Sequence, residues 1–143
     1  MDETRDKSKN ANYFIEYAKQ FFTTLKISMF QEKEGALGFI DSFDPTMDML
    51  VNSLKNSGYP YSVETILLLG SSLGEAFRSI FNGQWSFSER QGRWVITVQA
   101  KNGSIIELNV FRKIENRIIN GMEDSILYYY QSTKSLLEKG FPD

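Results

Sequence analysis

The chain has 143 residues, of which 41% are hydrophobic and 24% charged, and a formal net charge of −2. This size and composition predict a soluble globular protein, and the lack of a basic excess excludes nucleic-acid binding through a general positive field. Because histidine and cysteine are absent, disulfides, Cys/His zinc sites, thiol nucleophiles and imidazole acid–base chemistry are excluded as well.

Targeting and membrane segments are not expected. The first ten residues, MDETRDKSKN, are charged and polar and lack the apolar stretch of a signal peptide. The longest apolar runs are far shorter than the roughly 20 residues that span a bilayer. We therefore expect a cytoplasmic protein with a flexible segment over residues 1–10 and one α+β domain over residues 11–143.

The first helix is predicted from residue 11 to about residue 26, where apolar side chains recur at helical spacing. The segment 31–38, QEKEGALG, is charged and contains two glycines, so it predicts a connection. Ser42 or Asp44 then offers an N-cap for a second helix. Pro45 suits the first helical position, because an N–H there would have no partner within the helix.

The second helix is predicted to end near residues 56–58. A third helix is predicted to begin after the N-cap Ser62 and to end at Asn82 and Gly83. A helical wheel places its large apolar side chains on one side. The other side is polar and carries Ser71, Ser72, Glu75, Arg78 and Ser79.

An alternation of apolar and polar side chains begins at Trp85 and predicts three strands. Turns are expected over residues 90–92 and at Asn102 and Gly103, a pair that is a strong hairpin signal. The strands should form an antiparallel meander with one face covered by helices and the other more polar.

The end of the chain predicts one or two helices. A short helical turn is expected over residues 115–119, closed by a left-handed turn at Asn120 and Gly121, and a last helix over about residues 123–138. Three helices, three strands and then one or two helices make a segregated order, which is typical of the α+β class.

Two glycines in the third helix raise a question of packing. Gly70 and Gly74 each cost about 1 kcal/mol relative to alanine inside a helix. They lie one turn apart and predict a bare patch to which the sheet or the second helix comes close, whereas a phosphate site is disfavoured because they do not follow a strand. Glu75 is predicted either as a solvated carboxylate with a weak ion pair to Arg78 or as part of a binding cleft.

Three further groups of residues are candidates for contacts. Tyr128, Tyr129 and Tyr130 spread over about 200° of a helix, so at least one ring should be exposed, as in many interfaces. The second group is a basic cluster at the strand ends, interpreted as solvated charge: Arg90, Arg93, Arg112 and Lys113. The third is a trio of acids, interpreted as helix capping without a metal: Asp41, Asp44 and Asp48.

Two segments carry a further pattern: residues 69–85, LGSSLGEAFRSIFNGQW, and 109–130, NVFRKIENRIINGMEDSILYYY. Over roughly the C-terminal half to two thirds of the chain, they resemble a family of uncharacterised small bacterial domains. The family patterns are LG-x-x-LGE, G-x-W and PF-x-x-V-x-K-R-x-x-N-G-x-x-D-S-L. The matching positions are Gly70, Leu73, Gly74, Glu75, Gly83, Trp85, Phe111, Ile114, Arg117, Asn120, Gly121, Asp124 and Ser125. Val110 and Asn116 stand where the family has proline and lysine.

The residues of the second motif also have a structural interpretation. Asp124 or Ser125 is expected to cap the final helix. Arg117 is expected to reach Glu75 or Glu115 and to form a charged pair at the junction of the sheet and the helices. The departures at Val110 and Asn116 weaken the case for a charged pocket in this region.

The resemblance implies an immunity or adaptor role, because some family members accompany secreted bacterial toxins. The leading hypothesis is a non-enzymatic protein-binding module that acts as a toxin-immunity or antagonist protein, without a cofactor, metal, membrane or nucleic acid. The alternatives are a small-ligand binder or carboxylate-dependent enzyme with a pocket around Glu75, Arg78 and Arg117, and a self-associating dimer. The expected binding residues are Glu75, Arg78, Arg117, Trp85, Tyr128 and Tyr129, and the expected structural residues are Gly70, Gly74, Asn120 and Gly121.

Overall fold

The computed structural model describes residues 2–24, 33–56 and 62–140. In these ranges three helices precede a three-stranded antiparallel sheet and two helices follow it, which confirms the α+β prediction. The elements are α1 (Ala11–Thr24), α2 (Lys33–Asn56), α3 (Val63–Phe81), β1 (Gln84–Ser88), β2 (Arg93–Gln99), β3 (Ile105–Leu108), α4 (Val110–Asn120) and α5 (Ile126–Lys139). Two short 3-10 helices, η1 (Glu3–Arg5) and η2 (Gly121–Asp124), precede α1 and α5.

The sheet is the predicted meander, with the order β1-β2-β3. Trp85 pairs with Ile96, and Ile96 pairs with Leu108 on the other side. Residues directly opposite in an antiparallel pair point to the same face, so these three side chains share the buried face. The turn at the predicted Asn102 and Gly103 joins β2 to β3, with a hydrogen bond from the Gly103 N–H to a carbonyl of the same turn.

The third helix, α3, is central and contacts α1, α2, α4 and the first two strands. Its ends confirm the prediction. The Ser62 hydroxyl accepts a hydrogen bond from the Thr65 N–H at 3.2 Å, and Asn82 ends the helix in the left-handed conformation at φ 56°. Both caps depend on residues within one turn, which is why the sequence indicates them.

The start of α2 differs from the prediction. Residues 33–38 are helical and Pro45 lies inside the helix, so neither Ser42 nor Asp44 is its N-cap. The buried apolar side chains of α2 include Ala36, Phe39, Ile40 and Phe43 before the proline and Met47 and Val51 after it. Burial of both halves outweighs the roughly 3 kcal/mol that a proline costs in a helix interior. The expected helix ends near residues 26 and 57–58 lie outside the described residues.

Within residues 2–10, for which the sequence predicts a flexible segment, Thr4 and Asp6 form hydrogen bonds with the sheet. Thr4 is fully buried, and its hydroxyl oxygen accepts a hydrogen bond from Nε of Arg93 at 2.7 Å. The indole N–H of Trp94 donates to the backbone carbonyl of Asp6 at 2.9 Å. These partners lie almost ninety positions apart in the chain, so composition near the terminus does not indicate them.

The last third of the chain contains more helix than predicted. The fourth helix, α4, starts directly after Asn109, whose side chain accepts from the Arg112 N–H, and covers 11 residues. Gly121 has a positive φ of 69°, as expected for this turn, whereas Asn120 is right-handed. Ser125 caps α5, as the sequence predicts. Of the helices in the described ranges, none has the length and apolar character that crossing a bilayer requires.

Candidate functional site

The two glycines of α3 each receive an aromatic ring. Phe111 of α4 lies against Gly70 and Trp85 of β1 lies against Gly74, and a Cβ at either glycine would overlap the ring. The two rings also stack on each other, with centroids 5.8 Å apart. The expected close approach therefore occurs, but side chains from the sheet and α4 make it, and α2 does not.

Glu75 is buried, with 3% of its surface exposed. Its carboxylate accepts two hydrogen bonds from Arg78, at 2.7 and 2.9 Å, and one from the indole N–H of Trp85 at 3.0 Å. The expectation of a solvated carboxylate is therefore wrong, because the Trp85 ring packs over this side of α3. The ion pair with Arg78 is present, and together the two residues fix the orientation of the indole.

Arg117 is almost fully buried and binds two acids of α2. Its Nε donates to Asp44 at 2.7 Å, and its NH2 group donates to Asp48 at 2.7 Å. The expected partners, Glu75 and Glu115, are wrong because α2 continues through Asp44 and presents two acids one turn apart to α4. The structure therefore does not bring Arg117 together with Glu75 and Arg78.

Asp44 caps a helix other than its own. One oxygen accepts from the Ile126 N–H at 3.0 Å, and the other from the Leu127 N–H at 3.1 Å and the Ser125 hydroxyl at 2.9 Å. Burial raises the pKa of Asp44, but the hydrogen bonds from Arg117 and from the start of α5 outweigh it and hold the pKa below its ordinary value.

The remaining acids of the predicted trio do not join Asp44 in a metal site. Asp41 is exposed, and Asp48 is bound to Arg117. Within the described part of the chain, no group of three or more acidic side chains is arranged to hold a metal ion. Asp44 and Asp48 thus share the guanidinium of Arg117, whereas Asp41 lies apart from them on the exposed side of the helix.

The predicted basic cluster is divided among several partners. Arg93 is buried and ion-paired with Glu115, so its interpretation as solvated charge is wrong. Arg90 forms an exposed ion pair, and Lys113 pairs with an acid of η2. Arg112 is exposed on α4. The cluster therefore presents no common anion site.

The three consecutive tyrosines have different surroundings. Tyr128 is 67% exposed, as expected for at least one of them. Tyr129 is partly buried beneath the Lys113 ammonium group, which lies 5.1 Å from its ring centre, and burial raises the pKa of its hydroxyl. Tyr130 stacks on Phe81 with ring centres 5.7 Å apart. Among the three rings, the Tyr128 ring is the most exposed.

A groove of about 470 Å³ lies between α2 and the end of α4. Asp48 and Asn52 line one side, and residues 117–121 line the other. Three apolar side chains are strongly exposed in this part of the chain. Ile119, 65% exposed, lines the groove, and Met122, 59% exposed, contacts the lining residue Arg117. Met49, 74% exposed, follows the lining residue Asp48 in α2. We call this the α2–α4 surface, formed by Asp48, Met49, Asn52, Ile119, Asn120 and Met122.

The α2–α4 surface lies directly over the Arg117 cluster. Arg117 forms the floor of the groove, and its NH2 group also contacts the Met122 sulfur at 3.2 Å. One guanidinium faces two carboxylates here, and the side chain of Asp48 remains 54% exposed. The groove therefore has an ion pair between Arg117 and Asp48 in its lining, with the amides Asn52 and Asn120 and the exposed Ile119 beside it.

No family model, curated protein or solved structure matches the chain. The likeness to toxin-associated bacterial domains therefore remains a prediction from the two sequence motifs.

Three of these features are not indicated by the sequence patterns considered above: the capping of α5 by Asp44 of α2, the packing of Thr4 against Arg93 of β2, and the α2–α4 surface. A partial signal exists for two of them. Asp44 and Asp48 have the one-turn spacing of acids that share a cation. Ile119 lies on the otherwise polar side of an amphipathic helix. Thr4 gives no signal, because its partner is so distant in the chain.

Proposed function

We propose that the chain binds another protein through the α2–α4 surface. The observation that carries this proposal is a groove with exposed apolar side chains on both helices: Ile119 lines it, Met122 contacts its lining residue Arg117, and Met49 is next to its lining residue Asp48 in α2. Single exposed apolar residues are ordinary, but grouped ones around a concave site are typical of interaction surfaces. Two of the three are methionines, whose unbranched side chains adapt to an irregular partner.

The charge of the surface favours a partner that is basic as well as apolar. The acids Asp44 and Asp48 outnumber the single guanidinium of Arg117, and Glu123 is exposed nearby on η2. A positive group on the partner would gain from this potential and would reach the surface faster at low salt. The α2–α4 surface thus fits a protein with a basic, apolar patch.

The groove is also held in shape before any partner arrives. Arg117 connects α4 to α2, and Asp44 connects α2 to the first turn of α5. A partner therefore spends little free energy on ordering these elements, which favours affinity. Together with the family resemblance, this supports a cytoplasmic antagonist of a toxin or effector protein.

Capture from the native cells tests the binding proposal. We expect the tagged chain to retain a stoichiometric partner with a basic surface, and Met49→Glu with Ile119→Glu to release it. Ile105→Glu is the matched control, since Ile105 is 59% exposed but lies on β3. Equal free energies of unfolding for the variants would show that the fold is intact. Absence of a partner, or equal capture by both variants, would contradict the proposal.

The antagonist role needs a separate test. Expression of the captured partner alone should slow growth, and co-expression of the wild-type chain should restore it. The Met49→Glu/Ile119→Glu variant should not restore growth. If the partner is harmless by itself, the binding proposal stands and the antagonist role is rejected.

Self-association is the alternative that the same surface allows, because its exposed apolar side chains can also pack against a second copy. Light scattering at micromolar concentration distinguishes the two cases. A dimer that becomes a monomer in Met49→Glu/Ile119→Glu would favour self-association. A pocket shared by Glu75, Arg78 and Arg117 is not supported, because Glu75 is covered by the indole of Trp85 while Arg117 is bound to α2.

A further inference from the structure

A second groove, of about 410 Å³, lies between the end of α3, the end of β2 and α5. We call it the α3–α5 groove. Its volume falls within the range of small-molecule sites, which are mostly apolar with a few polar groups. The apolar side chains that line it are Leu37, Ile80, Phe81, Val98, Tyr130 and Leu137.

Aromatic rings form one wall of the α3–α5 groove. Phe81 and Tyr130 stack nearly parallel, at 22°, with ring centres 5.7 Å apart. Phe77 lies behind them, 5.6 Å from Phe81 and 6.5 Å from Tyr130. The three rings support one another, and Phe81 and Tyr130 give the groove an apolar aromatic wall that suits an aromatic ring or an alkyl chain.

The far end of the groove is fixed by backbone contacts. The Lys101 N–H donates to the Leu137 carbonyl at 3.0 Å, which connects the β2–β3 turn to α5. Gly140 packs so closely against Asn102 that a Cβ would overlap that side chain. The two sides of the groove are thus held together before a ligand binds.

Two lysines from different elements line the groove, Lys101 from the β2–β3 turn and Lys134 from α5. Within the described ranges, the lysines that form ion pairs are Lys7, Lys19 and Lys113, so both groove lysines lack an acidic partner there. Glu138 is the acid among the lining residues. The groove therefore combines an apolar wall with an excess of positive charge, opposite in sign to the α2–α4 surface.

We propose that the α3–α5 groove binds a small carboxylate with an aromatic or alkyl body. The body packs on Phe81 and Tyr130, and the carboxylate faces the ammonium groups of Lys101 and Lys134. This activity is independent of the α2–α4 surface, because the two grooves share no lining residue.

Titration with 4-phenylbutyrate, followed by ¹H–¹⁵N NMR of the full chain, tests the proposal. The neutral 4-phenylbutyramide and the cationic 4-phenylbutylamine are matched probes with nearly the same body. We expect saturable shifts confined to the amides around Phe81, Val98, Lys101 and Tyr130. The acid should bind about threefold to tenfold more tightly than the amide, as two exposed charge contacts allow.

The double variant Lys101→Gln/Lys134→Gln should remove this preference, so that acid and amide bind alike. Lys139→Gln is the matched control, because Lys139 is exposed on α5 and does not line the groove. No saturable binding in the millimolar range, shifts scattered outside the groove, or equal affinity of the wild-type chain for acid and amide would each overturn the proposal.

Discussion

Substitution of Gly74 by alanine tests whether this bare position exists to admit the Trp85 ring. The added Cβ would overlap Cζ2 and Cη2 of the indole. The ring is not free to move aside, because it stacks on Phe14 at 5.0 Å and on Phe111 at 5.8 Å. It also donates its N–H to Glu75. The packing of four elements therefore resists the added methyl group.

The expected loss of stability follows from three contributions. Overpacking of a core costs about 1–3 kcal/mol, and loss of the hydrogen bond from Trp85 to the buried carboxylate costs about 1.5–3 kcal/mol. The higher helix propensity of alanine returns about 1 kcal/mol. We therefore expect Gly74→Ala to lower the free energy of unfolding by about 1.5–5 kcal/mol.

Urea denaturation followed by circular dichroism measures this effect. Gly38→Ala is the matched control: Gly38 is exposed in α2 and a Cβ there would meet nothing within 4 Å. It should raise the free energy of unfolding by up to about 1 kcal/mol. In a Trp85→Phe background the cost of Gly74→Ala should shrink, because the shorter ring does not reach the overlapping positions. Equal, stabilising effects of Gly74→Ala and Gly38→Ala would refute the packing argument.

Three other outcomes are expected. Asp44→Asn leaves the buried Arg117 underpaired and should lower the free energy of unfolding by about 3–5 kcal/mol in urea, whereas Asp48→Asn, at an exposed acid, should cost about 1 kcal/mol or less. Because the folded-state pKa of Asp44 is depressed, its contribution to the free energy of unfolding is complete above the unfolded-state pKa of about 4 and is lost as the pH falls further. If the free energy of unfolding of Asp44→Asn fell as steeply in acid as that of the wild type, this reasoning would be contradicted. Thr4→Val removes an acceptor of buried Arg93 and should cost about 1–3 kcal/mol by thermal or urea unfolding; an unchanged midpoint would show that the contact adds nothing.

The features that the sequence predicts well are local ones. The caps Ser62, Asn82 and Ser125 depend on hydrogen bonds within one helical turn, and the alternation around Trp85 depends on the two-residue period of a strand. The close approach at Gly74 is also local in origin, since only a missing side chain leaves such room. What the sequence does not supply is the identity of the approaching group.

The features that the sequence does not predict depend on residues that are far apart in the chain and meet only in the fold. A helical wheel assigns Glu75 to the solvent side, but β1 brings the Trp85 indole onto that side, and Arg78 neutralises the carboxylate. The Gly-containing start of α2 resembles a loop until its apolar residues have a core to enter. The partners of Arg117 are missed because they lie on α2. The local signals at Ser42, Asp44 and Pro45 place the start of that helix too late in the chain.

The position of Asp44 also affects when its hydrogen bonds can form during synthesis on the ribosome. Its carboxylate accepts a hydrogen bond from the N–H of Ile126, which lies 82 positions later in the chain. The Thr4 hydroxyl accepts one from Arg93, 89 positions later. At synthesis rates of about 5–20 residues per second, the stretch from Asp44 to Ile126 takes about 4–16 s to appear. During that time the carboxylate of Asp44 lacks the backbone N–H groups from which it accepts hydrogen bonds in the folded chain.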